Sequence, residues 1–440
     1  MTFCQVYIKM NSEHRLVIKN LDVFGVRILG FFLLLILIHN CPIKGFQFTK
    51  FLYIISFLYF FIVRKKFSKH QKILLIFGAF LASYGVAMSM IMGAADINIF
   101  NFSRLFSCLF ASVFIVDLLK YKANFKEITI VNWIALTGIF EAIIVLLGFF
   151  NTGFHDFLID FIGGTERYQE KMNAMGAFRG IGWSYTQYSD FAVPQGMAFL
   201  CFIIAYINIH NKLNSIEKIG AYLLLILFIG SGILIGRTYQ FIIIVAFILY
   251  CFSYKFECSN NFLSWNLFKF GLLSTLILIS GISILDDYIP EETYNWAFEL
   301  FINMSNSKIS TASTDDLQTM WVFPDSWNDW IFGVGRFSPL NENSHPTFSK
   351  SDVGIVNSIF YWGIIGSIFY YLCIYLTFYY CIKDAENTTT KYLAFSLLCV
   401  ILIYNLKGLG NGFAFSALLL QGIHEAKNKP CNSSFILYRR

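Results

Sequence analysis

GAYLLLILFIGSGILIGRTYQFIIIVAFILY, residues 220–250, contains a single charged side chain, Arg237. Its apolar residues run on continuously rather than alternating or keeping to one helical face, which is the pattern of helices apolar all round. A membrane-crossing helix needs about 20 such residues, within a range of roughly 17–25. The stretch therefore reads as two spans, 219–236 and 239–253, back to back with almost no loop between them. An arginine at that junction is paired, snorkels to the interface or waits for an anionic ligand.

The same rule places further spans at 23–40, 46–63, 73–93, 99–119, 128–150, 191–209, 270–285, 363–382, 392–407 and 409–424, twelve in all. Composition agrees: 57% of the 440 residues are hydrophobic and 14% charged, against roughly 25% charged in an ordinary soluble domain. The expected fold class is all-α, a polytopic integral membrane protein forming a single membrane domain over residues 1–440.

Charge sorts the loops into two sets. One set comprises 1–22, 64–72, 120–127, 210–218, 254–269, 383–391 and the C-terminal tail. It holds 21 of the 33 Lys and Arg but only 8 of the 27 Asp and Glu. Positive loops stay inside, so both termini are expected to be cytoplasmic. Two loops on the opposite, outer side are long, 151–190 and 286–352. Loops longer than about 12–15 residues are usually functional or disordered. Trp183, Trp296, Trp321, Trp327, Trp330, Pro290, Pro324 and Pro346 argue against disorder and for short helices folded back onto the membrane.

Other classes recede. The net charge of +6 comes mostly from those short loops, so no nucleic-acid partner is implied. Cys108, Cys201, Cys373 and Cys399 sit inside apolar runs, and no Cys/His spacing suits a metal. Polar residues run to Asp22 with no small-residue cleavage site after Ile38, so no cleavable signal is expected. No internal repeat points to a transporter built from inverted halves.

Several residues carry candidate chemistry. Arg179 stands in AFRGIGWSYTQYSD (177–190), where glycines allow close backbone approach and a guanidinium fork matches phosphate oxygens. The plainer reading pairs it with Glu166, Glu170 or Asp190. Arg104 and Lys407 lie within spans near the outer side and Arg27 nearer the inner side, with Glu141 in the fifth span as a candidate partner; Arg27 and Asp117 read as interface residues. His345 and Asp352 are alternative general bases, against a solvated loop histidine and a helix N-cap respectively. His155 is the other outer histidine. The Asp315–Asp316 pair and DSWND (325–329) have no spacing that demands a cation. The apolar run 353–382 is too long for one span; Gly363 and Gly366 divide it into a segment dipping into or lying on the membrane, 353–362, and a true span.

Taken in order, these features resemble the bacterial O-antigen polymerase (Wzy-type) family, within a superfamily that includes the O-antigen ligases. The resemblance rests on about a dozen spans, two enlarged outer loops and R-x-x-G at Arg179–Gly182. It continues with the Gly236–Arg237–Thr238 junction, GVG (333–335), SDVG (351–354) and YWGIIG (361–366). It implies joining of undecaprenyl-pyrophosphate-linked oligosaccharide repeat units on the periplasmic face of the bacterial inner membrane, without nucleotide sugar, cofactor or metal. Membrane lipid and a chain-length regulator protein are the implied partners. On that resemblance Arg179 and Arg237 hold pyrophosphate, Arg336 or Arg104 assists, Asp352 or His345 accepts the acceptor proton, and 353–362 lines a groove for the polyprenyl tail. The chain departs from the pattern twice. Asp352 stands where ligase-like members carry a histidine, and STASTDDLQTMW (310–321) lacks an arginine that members often have. An O-antigen ligase acting on lipid A-core and a lipid-linked oligosaccharide flippase are the alternatives.

Overall fold

The computed structural model describes residues 7–10, 15–19, 23–64, 67–91, 103–121, 125–164, 169–170, 172, 179–184, 189–257, 291–305, 311–334, 351, 353–410, 412–427 and 436–438. Almost all of these are helical. The first five long helices are α1 (Val23–His39), α2 (Phe48–Tyr59, prolonged by one π-helical turn to Arg64), α3 (Lys69–Ile91), α4 (Arg104–Leu119) and α5 (Glu127–Phe150). A short α6 (Thr152–Ile162) follows in the first long loop, then α7 (Ser189–Ile209), α8 (Ser215–Ile235) and α9 (Arg237–Glu257). The second long loop contributes α10 (Glu291–Ser305), α11 (Ala312–Thr319) and α12 (Trp327–Phe332). The chain closes with α13 (Gly354–Asp384), α14 (Thr388–Tyr404) and α15 (Phe413–Lys427). Helices thus lie over every predicted segment except 270–285, which lies outside the described residues.

Among the described residues five helices, α3, α5, α7, α8 and α13, are long and apolar enough to cross a membrane. The 24 residues of α5 extend roughly 36 Å at a rise of about 1.5 Å per residue, enough for a hydrocarbon core of about 30 Å. Helix α7 is the most buried of the five. It packs between α5 and α9, and the common core joins Leu109, Ile134, Phe199, Phe228, Phe378 and Leu419. Lipid tails give helices no hydrophobic reason to associate, so close packing through small residues has to hold them. Gly138 of α5 illustrates this: a Cβ there would stand 2.6 Å from the Ala198 Cβ and 2.8 Å from the Phe228 ring.

Sequence contrast between the loops has a structural counterpart in two unlike bundle ends. At one, which we term the closed end, connections are short and ionic. His70 Nδ1 lies 2.6 Å from Asp384 Oδ2, and Lys120 Nζ lies 2.9 Å from Asp117 and 2.5 Å from Glu425. The Glu127 carboxylate accepts from the amides of Glu386 at 2.7 Å and Asn387 at 3.2 Å, and Arg27 donates to the Tyr121 carbonyl at 3.3 Å. Both Arg27 and Asp117 belong to this end. The terminal strands β1 (Tyr7–Met10), β2 (Arg15–Lys19) and β5 (Ile436–Tyr438) form one antiparallel sheet in the order β1-β2-β5, joining the two ends of the chain.

The opposite, loop end is layered. A hairpin of β3 (Pro42–Ile43) and β4 (Phe46–Gln47) turns through Lys44 (φ 50) and Gly45 (φ 78), both left-handed as a type I′ turn requires. Its tip amides donate to Phe161 and Ile162 of α6, each at 2.7 Å. The Trp183 indole donates to the Pro42 carbonyl at 2.7 Å. The first long loop is thereby anchored on the hairpin. Helix α13 is broken at Gly363 (φ 63, ψ −175), where the sequence divides its apolar run, giving a short arm 354–362 and a long arm ending at Asp384.

Candidate functional site

Arg179 and Arg237 meet at the loop end. The Gly180 amide donates to the Leu234 carbonyl at 3.0 Å, laying 179–184 across the end of α8. Glu141 of α5, fully buried, accepts from the Trp183 amide at 2.9 Å and lies 3.5 Å from the Cys41 thiol. Its partners are this loop and Cys41, not one of the span arginines for which it was a candidate, because the loop amide satisfies the carboxylate without a buried ion pair. Arg237 opens α9 one residue beyond the end of α8.

An aromatic ring supplied by α10 lies within reach of both arginines. The Arg179 guanidinium carbon is 4.1 Å and the Arg237 carbon 5.7 Å from the centroid of Trp296, both within the roughly 6 Å reach of a cation–π contact. Glu299, three residues along α10, ion-pairs with Arg237. Its other oxygen accepts from the Ala312 amide at 2.6 Å, satisfying an otherwise orphaned amide at the start of α11. One carboxylate thus fixes the Arg237 fork and ties two helices of the second loop together. Asp190, weighed as a partner for Arg179, instead accepts a hydrogen bond from the Tyr404 hydroxyl.

The glycine motifs of the second loop also converge. Gly333 (φ 81) ends α12 against the break at Gly363. A Cβ on Gly363 would collide with the Ile331 carbonyl, and one on Gly333 with the Gly363 amide. Val334 donates to the Phe360 carbonyl at 2.5 Å, and the Tyr84 hydroxyl donates to the carbonyls of Trp362 at 3.0 Å and Phe332 at 3.3 Å. Gly333–Val334 and the YWG stretch (361–363) are therefore two halves of one contact. Along the elbow of α13 runs an apolar groove of about 490 Å³, lined by Ile355, Ile359, Ile364, Ile368, Leu372 and Tyr375 among others. DSWND is an N-cap: Ser326 Oγ accepts from the Asp329 amide at 3.1 Å.

Arg104 does not join this cluster; it lines a separate cavity at the same end, with Lys50 and Asp190. Arg336, His345 and Asp352 lie outside the described residues. Partial burial holds the His155 imidazole below its ordinary pKa, so this loop-end histidine offers no fixed positive charge at neutral pH. Sequence reasoning missed Trp296 and Glu299 as parts of the site. Trp296 stood out only as a mark of order in a long loop, and the i, i+3 spacing that puts Glu299 on its face of α10 was the available signal.

Fold and site together define a class: a helical bundle with membrane-length helices and a cationic, aromatic cluster at one end. No family model matches the chain, and no curated protein matches it.

Proposed function

We propose that the chain is a glycosyltransferase of the polysaccharide-polymerase type, joining undecaprenyl-pyrophosphate-linked repeat units at the periplasmic face of a bacterial inner membrane. In this reading all twelve apolar segments cross the bilayer, both termini are cytoplasmic and the loop end faces the periplasm. The observation that carries the proposal is the convergence of Arg179 and Arg237 on the Trp296 ring.

The reaction moves a glycan from pyrophosphate to a sugar hydroxyl on the next lipid-linked repeat. The acceptor oxygen bonds to the anomeric carbon and gives its proton to a base. The bond from that carbon to the pyrophosphate oxygen breaks, and its electron pair leaves with undecaprenyl pyrophosphate. Negative charge develops on the leaving oxygen, so preorganised guanidiniums are the chief catalytic requirement. Arginine forks match phosphate oxygens in pairs, and Glu299 holds one fork in register. Asp352 and His345 are the proposed bases. The apolar groove along the elbow of α13 is the proposed place for the polyprenyl tail.

Deleting the gene from its native host tests the assignment. A polymerase defect leaves lipid A-core capped with one repeat, a single band above bare core with no ladder. Bare core with accumulating long lipid-linked chains means ligase and overturns the proposal.

A further inference from the structure

The cavity that holds Arg104 is built from residues far apart in the chain and is not part of the Arg179–Arg237 cluster. It has a volume of about 530 Å³, within the roughly 300–1,000 Å³ usual for small-ligand sites. The loop-end termini of six helices, α1, α2, α4, α7, α14 and α15, enclose it. One part of the wall is polar: Asn40, Gln47, Thr49, Lys50, Arg104 and Asp190. The rest is apolar, including Ile38, Val193, Met197, Ile401 and Phe415. A ligand matching both parts is amphiphilic. The charged side chains on the wall are two cations and one carboxylate, so the ligand favoured is an anion that also presents donors to Asp190.

The local backbone is arranged around these groups. Asn40 takes a left-handed conformation (φ 53) just after α1, where asparagine is tolerated better than most residues. Thr49 donates to its side-chain oxygen at 2.5 Å, fixing that part of the wall. Asp190 sits in the first turn of α7, where the helix dipole stabilises a carboxylate. The Tyr404 hydroxyl donates to one of its oxygens and so orients the carboxylate. Pro194, also on the wall, cannot donate to the Asp190 carbonyl four residues back, which leaves that carbonyl outside the helical ladder. Lys50, Arg104 and Asp190 are all solvent-accessible, as a binding site requires and a structural ion cluster does not.

We propose that this cavity is a second substrate site, binding the phosphate–sugar junction of an anionic glycolipid. Lys50 and Arg104 hold the phosphate, and Asp190, oriented by Tyr404, accepts hydroxyls of the first sugar. Identifying the bound lipid as the acceptor substrate rests on the polymerase reading; the binding itself does not. Purified full-length protein titrated with farnesyl pyrophosphate should show two binding events. Lys50→Gln with Arg104→Gln should weaken one of them about tenfold or more, the loss expected for charged hydrogen bonds; Lys50→Gln alone should weaken the same event less. Arg237→Gln should affect only the other. If Arg237→Gln affects neither, the pyrophosphate role of that arginine fails while the cavity event still stands. Both events surviving in the double variant overturns the cavity proposal. Inorganic pyrophosphate binding the cavity as tightly as farnesyl pyrophosphate also overturns it, because a free anion is then the ligand. Asp190→Asn should abolish the affinity gained when farnesyl pyrophosphate is replaced by farnesyl-pyrophosphoryl glucose, and should leave farnesyl pyrophosphate itself bound at least as well. An undiminished gain removes Asp190 from the site.

Discussion

The two ends of the bundle use charge in different ways. At the closed end polar and ionic side chains are met across a short turn or an adjacent helix end. A complementary side chain meets them in His70–Asp384 and Lys120–Glu425, and backbone groups do so at Arg27 and Glu127. These contacts register helices against one another, and nothing in them invites a ligand. At the loop end, guanidiniums from two segments converge on one indole, with a single carboxylate between Arg237 and the second loop. Bringing like charges together costs free energy, offset here by the ring's negative faces and by Glu299. In the proposed function, this arrangement at the loop end is what holds the pyrophosphate.

The comparison breaks most sharply at Arg237. Arg237→Ala should reduce polymerisation by a factor of about 100 or more, the loss typical of removing one donor to a developing oxyanion. Lysine should rescue poorly, since a point charge cannot reproduce a planar fork held between Glu299 and Trp296. The measurement is glycan ladder length at matched protein level. An undiminished ladder in Arg237→Ala would remove the arginine from the mechanism and leave the loop end without its central argument.

A smaller loss is expected at the glycine contact between α12 and α13. Gly363 adopts a left-handed conformation and touches the backbone of α12. Gly363→Ala introduces a strained backbone costing about 1–3 kcal/mol together with a steric clash. The second loop should then separate from the elbow of α13. Limited proteolysis should cut between α12 and α13 several-fold faster, with a partial loss of activity. Equal cleavage rates in parent and variant would mean that the contact does not hold the loop.

Much of this arrangement is legible in the sequence, for definable reasons. Continuous apolar runs report helix positions directly, and the break in α13 follows from glycines in a run too long for one span. Arg237 is conspicuous because charge is rare beside such runs. Trp296 and Glu299 were not readable as partners, because their meeting with Arg237 depends on how a long loop folds back, which no local period encodes. Asp190 stood among three alternative partners for Arg179, and its bond to Tyr404 was hidden for a similar reason. Its partner, Tyr404, lies on a helix distant in sequence, and only the packed bundle brings them together. Glu141 stood as a candidate partner for a span cation, whereas its hydrogen bond comes from the loop amide of Trp183.

The least effect should come from the closed end. His70 pairs with Asp384, and its ring stacks on Tyr380 at 4.2 Å. Both side chains of this hydrogen-bonded pair keep some solvent access, 19% and 26%, so the pair contributes no more than about 1 kcal/mol. His70→Ala also removes part of the stacked face, yet Tyr380 remains packed against its own helix and neighbouring residues. A stability change of this size corresponds to a melting shift of no more than about 4 °C. Activity per folded molecule should be unchanged, because the substitution lies at the opposite end from Arg179 and Arg237. Thermal melting and ladder length measured on the same preparation decide the point. A His70→Ala protein that melts normally but loses its ladder would show the closed end acting in the reaction, and the functional division between the two ends would fail.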